Sequence, residues 1–281
     1  MRFDYADIEA HAKNMRKHML DMGRHAGSHA AHMGGALSIA DVMAVLYFGV
    51  MNTKQVGMSS EKRDRLILSK GHASLGLYSA LIEAGLMEES LKNTFEDDYS
   101  ALLGHPVQNR SLGIEFTNGS LGMGLSMGLG VALACIKRKM DNRVYVVLGD
   151  GECDEGSVWE AFMAASHFKV NNLVAIIDCN NFQLSGTTSD IMSLGNVAER
   201  LRTFGWEVNE VNGHDVPSLC SALNPSQPHV GPYAVVMKTI KGKGFSFSEN
   251  NNSWHHAVVT QNVYEQGLAE LGIGVKTDGL Q

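Results

Sequence analysis

Two short runs of apolar residues constrain this chain more than any other feature. They are Val144-Tyr145-Val146-Val147-Leu148 and Leu173-Val174-Ala175-Ile176-Ile177. Neither alternates polar with apolar residues as a half-exposed strand does, so each reads as a strand buried on both faces. Between them, Val158, Trp159, Phe162, Met163 and Ala165 fall near one face of a helix. Two such strands joined by one helix make a βαβ unit with parallel strands and a right-handed crossover. Both runs end abruptly in polar clusters, Gly149-Asp150-Gly151 and Asp178-Cys179-Asn180-Asn181. These clusters then stand together at the carboxyl edge of a sheet, where open α/β sheets bind ligands.

The chemistry of those ends is specific. Asp150 offers a hard anionic oxygen and Asn180 a neutral amide oxygen. They lie 30 positions apart (180 − 150), but a βαβ unit returns the chain to nearly the same place. The flanking glycines let the backbone approach a bulky ligand and expose its N–H groups. One carboxylate, one amide oxygen and a carbonyl suit Mg²⁺, which completes its octahedron with waters and the ligand's own phosphate oxygens. The pattern therefore points to a metal-bridged diphosphate. The plain alternative is a pair of unrelated turns, which becomes less compelling because both clusters end consecutive buried strands.

The remaining chain extends this architecture. Residues 4 to 24 read as an amphipathic helix with Ile8, Met15, Met19 and Met22 as its apolar stripe, and Ser38 reads as the cap of a second helix. Arg65 to Ser69, Trp206 to Val211 and Tyr233 to Lys238 are three further strands. Five strands alternating with helices predict an α/β fold. It is one doubly wound, mainly parallel sheet with helices on both faces, formed as a single domain over residues 1–281. The glycines at 122, 124, 128 and 130 open a helix whose small residues allow close packing on the sheet. Their spacing is not a dinucleotide fingerprint, and no Walker A pattern occurs. His25, His29 and His32 have helical spacing, which raises a transition-metal site, but the glycines around them favour a loop. His214, in a Gly-His-Asp turn, reads as part of a helix cap.

Composition excludes some function classes. A net charge of −7 argues against an electrostatic nucleic-acid partner. The four cysteines show no C-x-x-C and read as reduced thiols of a cytoplasmic protein. The N-terminus mixes charges and is neither a signal nor a transit peptide. No apolar run approaches the roughly 20 residues that span a bilayer.

Gly149-Asp150-Gly151, 28 residues and then Asn180-Asn181 resemble the thiamine-diphosphate motif, and the surrounding segments resemble the transketolases. The resemblance implies that Asp150, Asn180 and the carbonyl of Phe182 hold Mg²⁺ (or Ca²⁺) on the diphosphate, with Gly151 beside it. His32 matches a histidine in a Ser-Gly-His-x-Gly-Gly-x-Leu-Ser stretch, although Ala30-Ala31 replaces the Ser-Gly. His72 matches the Gly-His after the first strand, and His105 the Gly-His-Pro. Gly119 and Leu121 match residues that touch the cofactor rings. Glu155 matches a glutamate that bonds to carboxylates of a neighbouring subunit. His255 matches the histidine of the loop that closes over the cofactor, with His256 standing where that family usually has glycine. Together, His32, His72, His105, His255 and Glu155 are the implied catalytic residues, and His72 and His255 also touch the cofactor. Histidines suit this work because neutral and protonated forms are both accessible near pH 7.

The same resemblance implies a partner. Full-length transketolases continue into a pyrimidine-binding domain, which supplies an activating glutamate and most sugar-phosphate contacts, and then a third domain. The expectation is the N-terminal subunit of a split transketolase: a homodimer core joined by a second polypeptide as a heterotetramer, acting on sugar phosphates. Two alternatives stay open. One is another thiamine-diphosphate enzyme, either an unusual-sugar transketolase or a 1-deoxyxylulose-5-phosphate synthase-like enzyme. The other is a non-catalytic binding or assembly protein.

Overall fold

The structure is a computed structural model, and it describes residues 3–52 and 61–274. Five strands form one parallel sheet: β1 (Arg65–Leu68), β2 (Val144–Gly149), β3 (Leu173–Cys179), β4 (Glu207–Asn212) and β5 (Tyr233–Lys238), in the order β1-β2-β3-β5-β4. All five predicted strands are present, and the two central apolar runs are buried along nearly their whole length. A central strand in a doubly covered sheet meets hydrophobic partners on both faces, which is why these runs show no alternation.

The helices divide between the two faces. On one lie α1 (Tyr5–His25), α2 (Met33–Leu37), α3 (Ala40–Val45), α4 (Ser74–Glu83), α9 (Val216–Ala222) and α10 (Gln261–Glu270). They pack on Tyr145, Val147, Val174, Ile176, Val235 and Met237. On the other lie α5 (Gly124–Lys137), α6 (Gly156–His167) and α8 (Val197–Thr203), against Val144, Val146, Leu148, Ala175, Ile177 and Val236. The short α7 (Thr188–Met192) joins β3 to α8. Alternate residues of each strand thus serve opposite layers, as the two-residue side-chain period of a strand requires.

Local details follow the chemistry of the sequence. Asp4 caps α1 by accepting from the Asp7 N–H at 3.2 Å, and the stripe of Ile8, Met15, Met19 and Met22 is buried. Asp215 caps α9 by accepting from the Ser218 N–H at 2.9 Å, as the Gly-His-Asp turn implied. Two expectations change. Ser38 does not cap a helix; its hydroxyl proton instead goes to the Asp178 carboxylate at 2.6 Å, with the Gly35 carbonyl oxygen 3.0 Å away, because a hydrogen bond to an ionised acceptor is stronger than the neutral one a cap would make. Met163 is exposed, and Ala161 takes its place on the buried face of α6. The four cysteines are unbridged. No helix among the described residues is long and apolar enough to cross a membrane.

The glycines of α5 divide into two kinds. A Cβ on Gly128 would stand 2.4 Å from Cγ2 of Val146, inside the helix–sheet contact, whereas one on Gly130 would meet nothing within 4 Å. Gly128→Ala should therefore destabilise the chain by about 1–3 kcal/mol through overpacking. Gly130→Ala should stabilise it by about 0.5–1 kcal/mol through helix propensity. Denaturant midpoints of the two variants check this; equal effects would contradict the close approach of α5.

Candidate active site

β1, β2, β3 and β5 all release the chain at the same edge of the sheet. Their registers, with Gly149 opposite Asp178 and Cys179 opposite Lys238, set the following residues side by side. The Asp150 N–H donates to the Asp178 carbonyl and the Thr239 N–H to the Cys179 carbonyl, both at 3.1 Å. A cavity of about 280 Å³ opens there. His32, His72, His105, His255, Gly119, Leu121, Asp150, Gly151, Asn180 and Phe182 all line it. Glu155 does not. It is exposed at the N-cap position of α6, and its side chain makes no capping bond.

Asp150 and Asn180 form the acidic end. Asp150 accepts from the Gly151 N–H at 2.9 Å and the Asn181 N–H at 2.8 Å, so its carboxylate bridges the ends of β2 and β3. Burial and the nearby Asp178 push its carboxyl up to about 6. Asn180 accepts from the Phe182 N–H at 3.2 Å and donates to Asp178 at 2.9 Å. Asn181 holds a left-handed φ of 67°, a conformation asparagine tolerates better than most residues, and the tight turn there carries Phe182 to the cavity. Asp178 lies behind this edge with no exposed surface. Burial alone would raise its carboxyl, but the Lys70 ammonium and hydrogen bonds from Lys70, Ser38 and Thr239 hold it below the ordinary value.

The histidines come from four loops and meet. The His32 ring lies 5.6 Å from His72, 5.5 Å from His105 and 5.5 Å from His255, and His72 lies 5.3 Å from His255. A two-residue antiparallel bridge between Ala31 and Ala257, with both N–H···O bonds at 3.0 Å, ties the His32 loop to the His255 loop. Gly71 is required for the approach of His72, because a Cβ there would stand 2.4 Å from the Asn118 carbonyl oxygen. Ala30 sits at φ 59° and ψ 177°, a region that favours glycine. The loop therefore carries local strain at Ala30. His255 lines the cavity, whereas His256 is exposed with its ring 4.4 Å from that of His32. His25 instead pairs with Asp97 at 3.0 Å, and among the described residues no three His, Cys, Asp or Glu side chains gather as a metal-binding group.

The charge state of these rings differs from the sequence-based expectation. Burial and neighbouring imidazoles hold His32 down at about 3. Burial and the ammonium of Lys241 hold His255 at about 4. Burial and Lys70 keep His72 well below the usual histidine range. These three rings are therefore neutral at pH 7, each with one donor and one acceptor nitrogen.

Several lining residues escaped the sequence reading. Lys70 forms an ion pair with Asp178. Lys241 donates to Asn252 at 2.7 Å and to Nδ1 of His255 at 2.9 Å, which leaves the proton of that neutral ring on Nε2. Burial, then Lys70, pulls the Lys241 ammonium down to about 8. Glu152 accepts from the N–H groups of Gly122 at 2.9 Å and Gly149 at 3.1 Å and from the Ser69 hydroxyl, pinning the 119–124 loop to β2. The one available signal was position: Lys70 directly follows the predicted strand Arg65 to Ser69, and Lys241 lies three residues beyond the end of the strand Tyr233 to Lys238. Lysines in polar loops ordinarily face water.

Comparison with known proteins agrees with this geometry. The family profile described as "Transketolase, thiamine diphosphate binding domain" matches residues 9–277. The chain is 37% identical over 267 residues to one of the apulose-4-phosphate transketolase subunits, that of Actinobacillus succinogenes, covering 95% of this chain and 96% of that one. It is 37% identical over 266 residues to the 6-deoxy-6-sulfo-D-fructose transketolase subunit SqwG of Clostridium sp., covering 94% and 96%. The crystal structure of transketolase from Campylobacter jejuni superposes with a TM-score of 0.87 at 29% identity, covering 97% of this chain but 43% of that one. The chain therefore spans less than half of that solved transketolase and nearly the whole of the two subunits. With the five-stranded parallel sheet and the loops at its carboxyl edge, this match establishes that the chain belongs to the transketolase family of transferases and carries its thiamine diphosphate binding domain.

Proposed function

We propose that the chain is the N-terminal, diphosphate-binding subunit of a two-chain transketolase that moves a two-carbon ketol unit between sugar phosphates. The observation that carries this reading is the convergence of Asp150, Asn180 and four histidines from separate loops on one cavity. The donor set fits thiamine diphosphate and Mg²⁺ (or Ca²⁺): a carboxylate, an amide oxygen and the Phe182 carbonyl for the metal, with room left for phosphate oxygens. The Lys241 ammonium offsets diphosphate charge, and Gly119 and Leu121 offer a small, apolar surface for the rings. When bound, the cofactor supplies the carbanion that attacks a ketose carbonyl and carries the two-carbon unit. His32, His72, His105 and His255 orient hydroxyls and move protons at that centre. The neutral state of His32, His72 and His255 lets each of those three rings accept at one nitrogen and donate at the other.

The rest of the enzyme comes from a partner. Relatives named as transketolase subunits match this chain nearly end to end, whereas it spans only 38% of human transketolase. We assign residues 1–281 to one domain and the pyrimidine-binding and C-terminal domains to a second polypeptide in the same cytoplasm. A homodimer of this chain forms the core of the heterotetramer, with exposed Glu155 facing the neighbouring copy. Relatives named for apulose-4-phosphate and 6-deoxy-6-sulfo-D-fructose favour the unusual-sugar reading of the substrate. A panel of ketose donors and aldehyde acceptors separates that reading from ordinary pentose phosphates and from 1-deoxyxylulose-5-phosphate synthesis.

Three outcomes test the proposal. Asp150→Ala should abolish metal-dependent thiamine diphosphate binding to the assembled complex while the chain stays folded, and EDTA should have the same effect on the wild type. Calorimetry reads both, and unchanged affinity in the variant would sink the metal assignment. His72→Ala and His105→Ala should each lower turnover by roughly 10²–10⁴-fold, the usual worth of general acid–base catalysis, with a smaller effect on cofactor affinity. Near-normal turnover in both would return these histidines to a structural role. The chain alone should be folded, bind the cofactor weakly and transfer no two-carbon units; adding the partner should restore affinity and activity together. Robust transfer by the purified chain, with contaminating enzyme excluded by mass spectrometry, would overturn the two-chain reading.

A further inference from the structure

The 239–243 loop that delivers Lys241 to the cavity is held from behind by buried Arg16 and Asp41 and half-buried His214, none of which lines the cavity. His214 stands in the turn between β4 and α9, with a side chain 10% exposed. Its Nε2 receives the backbone N–H of Ile240 at 2.8 Å. A backbone N–H can only donate, so Nε2 must be the unprotonated nitrogen and Nδ1 must carry the proton. Nδ1 faces Oδ2 of Asp41 at 2.8 Å, the acceptor that this tautomer needs. Asp41 is fixed in turn by Arg16, whose two terminal nitrogens meet its two oxygens at 2.9 and 2.7 Å. The same guanidinium donates from Nε to the Lys243 carbonyl at 3.1 Å. One ionic network therefore grips the loop at Ile240 and at Lys243, on either side of Lys241.

What lies between the two grips is the part that reaches the cavity. The Lys241 side chain bonds to Asn252 and to Nδ1 of His255, and the Asn250 N–H donates to the Lys241 carbonyl at 2.9 Å. The Gly242 N–H donates to the Gly34 carbonyl at 3.0 Å, which joins the loop to the helix after His32. Moving Ile240 would move Lys241, and with it the partner that selects the tautomer of His255.

We propose that His214 is a positioning residue of the cofactor site: locked in its Nδ1-protonated tautomer by the Arg16–Asp41 pair, it accepts the Ile240 N–H and thereby sets Lys241 and His255 in the cavity. This rests on reading that cavity as the thiamine diphosphate site. A purely structural His214 would serve Asp41 alone, as a second donor to a buried carboxylate. The two roles use different ring nitrogens, and two substitutions separate them. Glutamine places an amide oxygen near the position of Nε2 and keeps the acceptor for Ile240. Asparagine places an amide N–H near the position of Nδ1 and keeps only the donor to Asp41.

The test measures backbone amide exchange at Ile240 in the full chain, and thiamine diphosphate affinity with Mg²⁺ in the chain assembled with its partner. His214→Asn should speed exchange at Ile240 and weaken the cofactor about tenfold, the scale of one lost buried hydrogen bond, while His214→Gln stays near the wild type. The reverse ranking, or two variants alike in affinity, overturns the proposal. Should either variant fail to fold, nitrogen-15 NMR of the wild-type His214 ring decides instead: a protonated Nε2 at neutral pH overturns it, and an unprotonated Nε2 with a protonated Nδ1 supports it. Asp150→Ala run alongside distinguishes the two levels. If that variant binds the cofactor normally, the reading of the cavity has failed; if it does not and the His214 variants bind alike, only the positioning role has failed.

Discussion

One buried carboxylate organises the carboxyl edge of the sheet. Asp178 has no exposed surface, and an isolated charge there would be far too costly to keep. It is matched by Lys70 after β1, Ser38 after α2, Thr239 after β5 and Asn180 two residues beyond it. Each partner belongs to a segment that also feeds the cavity. Lys70 precedes His72, Ser38 follows the helix that His32 begins, Thr239 precedes Lys241, and Asn180 is the proposed metal ligand. Satisfying a single charge thus sets four loops relative to one another. Buried ion pairs contribute little net stability compared with well-packed apolar side chains. The contribution of this one is geometric.

A second buried carboxylate repeats the arrangement one layer away. Burial would raise Asp41, but Arg16 and His214 hold it at about 2, so it stays charged and orients both of them. Asp178 acts directly on the strand ends, and Asp41 acts through His214 on the loop that covers them. Between the two networks the cavity holds two lysines and a set of mutually opposed imidazoles. The positive field of Lys70 and Lys241 suits a diphosphate and adds to burial in keeping His72 and His255 neutral.

Much of this was legible in the chain. The βαβ unit showed in the absence of alternation within two apolar runs, and its polar ends named Asp150 and Asn180 before any geometry was known. The histidines were found only because Gly-His corners follow strands or resemble a family motif; His105 follows no strand and rests on the motif alone. Lys70, Lys241 and Glu152 were missed because a charged residue in a loop ordinarily faces water, and nothing local marks the exceptional case. Ser38 was misread because a serine before an apolar helical run carries a capping signature, whereas its actual acceptor lies 140 positions away. His214 was read as part of a cap, and the cap exists through Asp215, but its ring partners come from α3 and from the loop after β5.

By itself, then, the sequence determined which segments become strands and helices, that the sheet is parallel and covered on both faces, and which polar residues stand at strand ends. These are properties of side-chain period, apolar content and backbone freedom over a few neighbouring residues. Only the tertiary structure decided which charges are buried together, which histidines are neutral, which ring nitrogen carries the proton, and that Glu155 stands outside the cavity. Those properties depend on distances and solvent access between residues far apart in the chain, and hydrogen bonds and charge interactions are set by such distances rather than by position in the sequence.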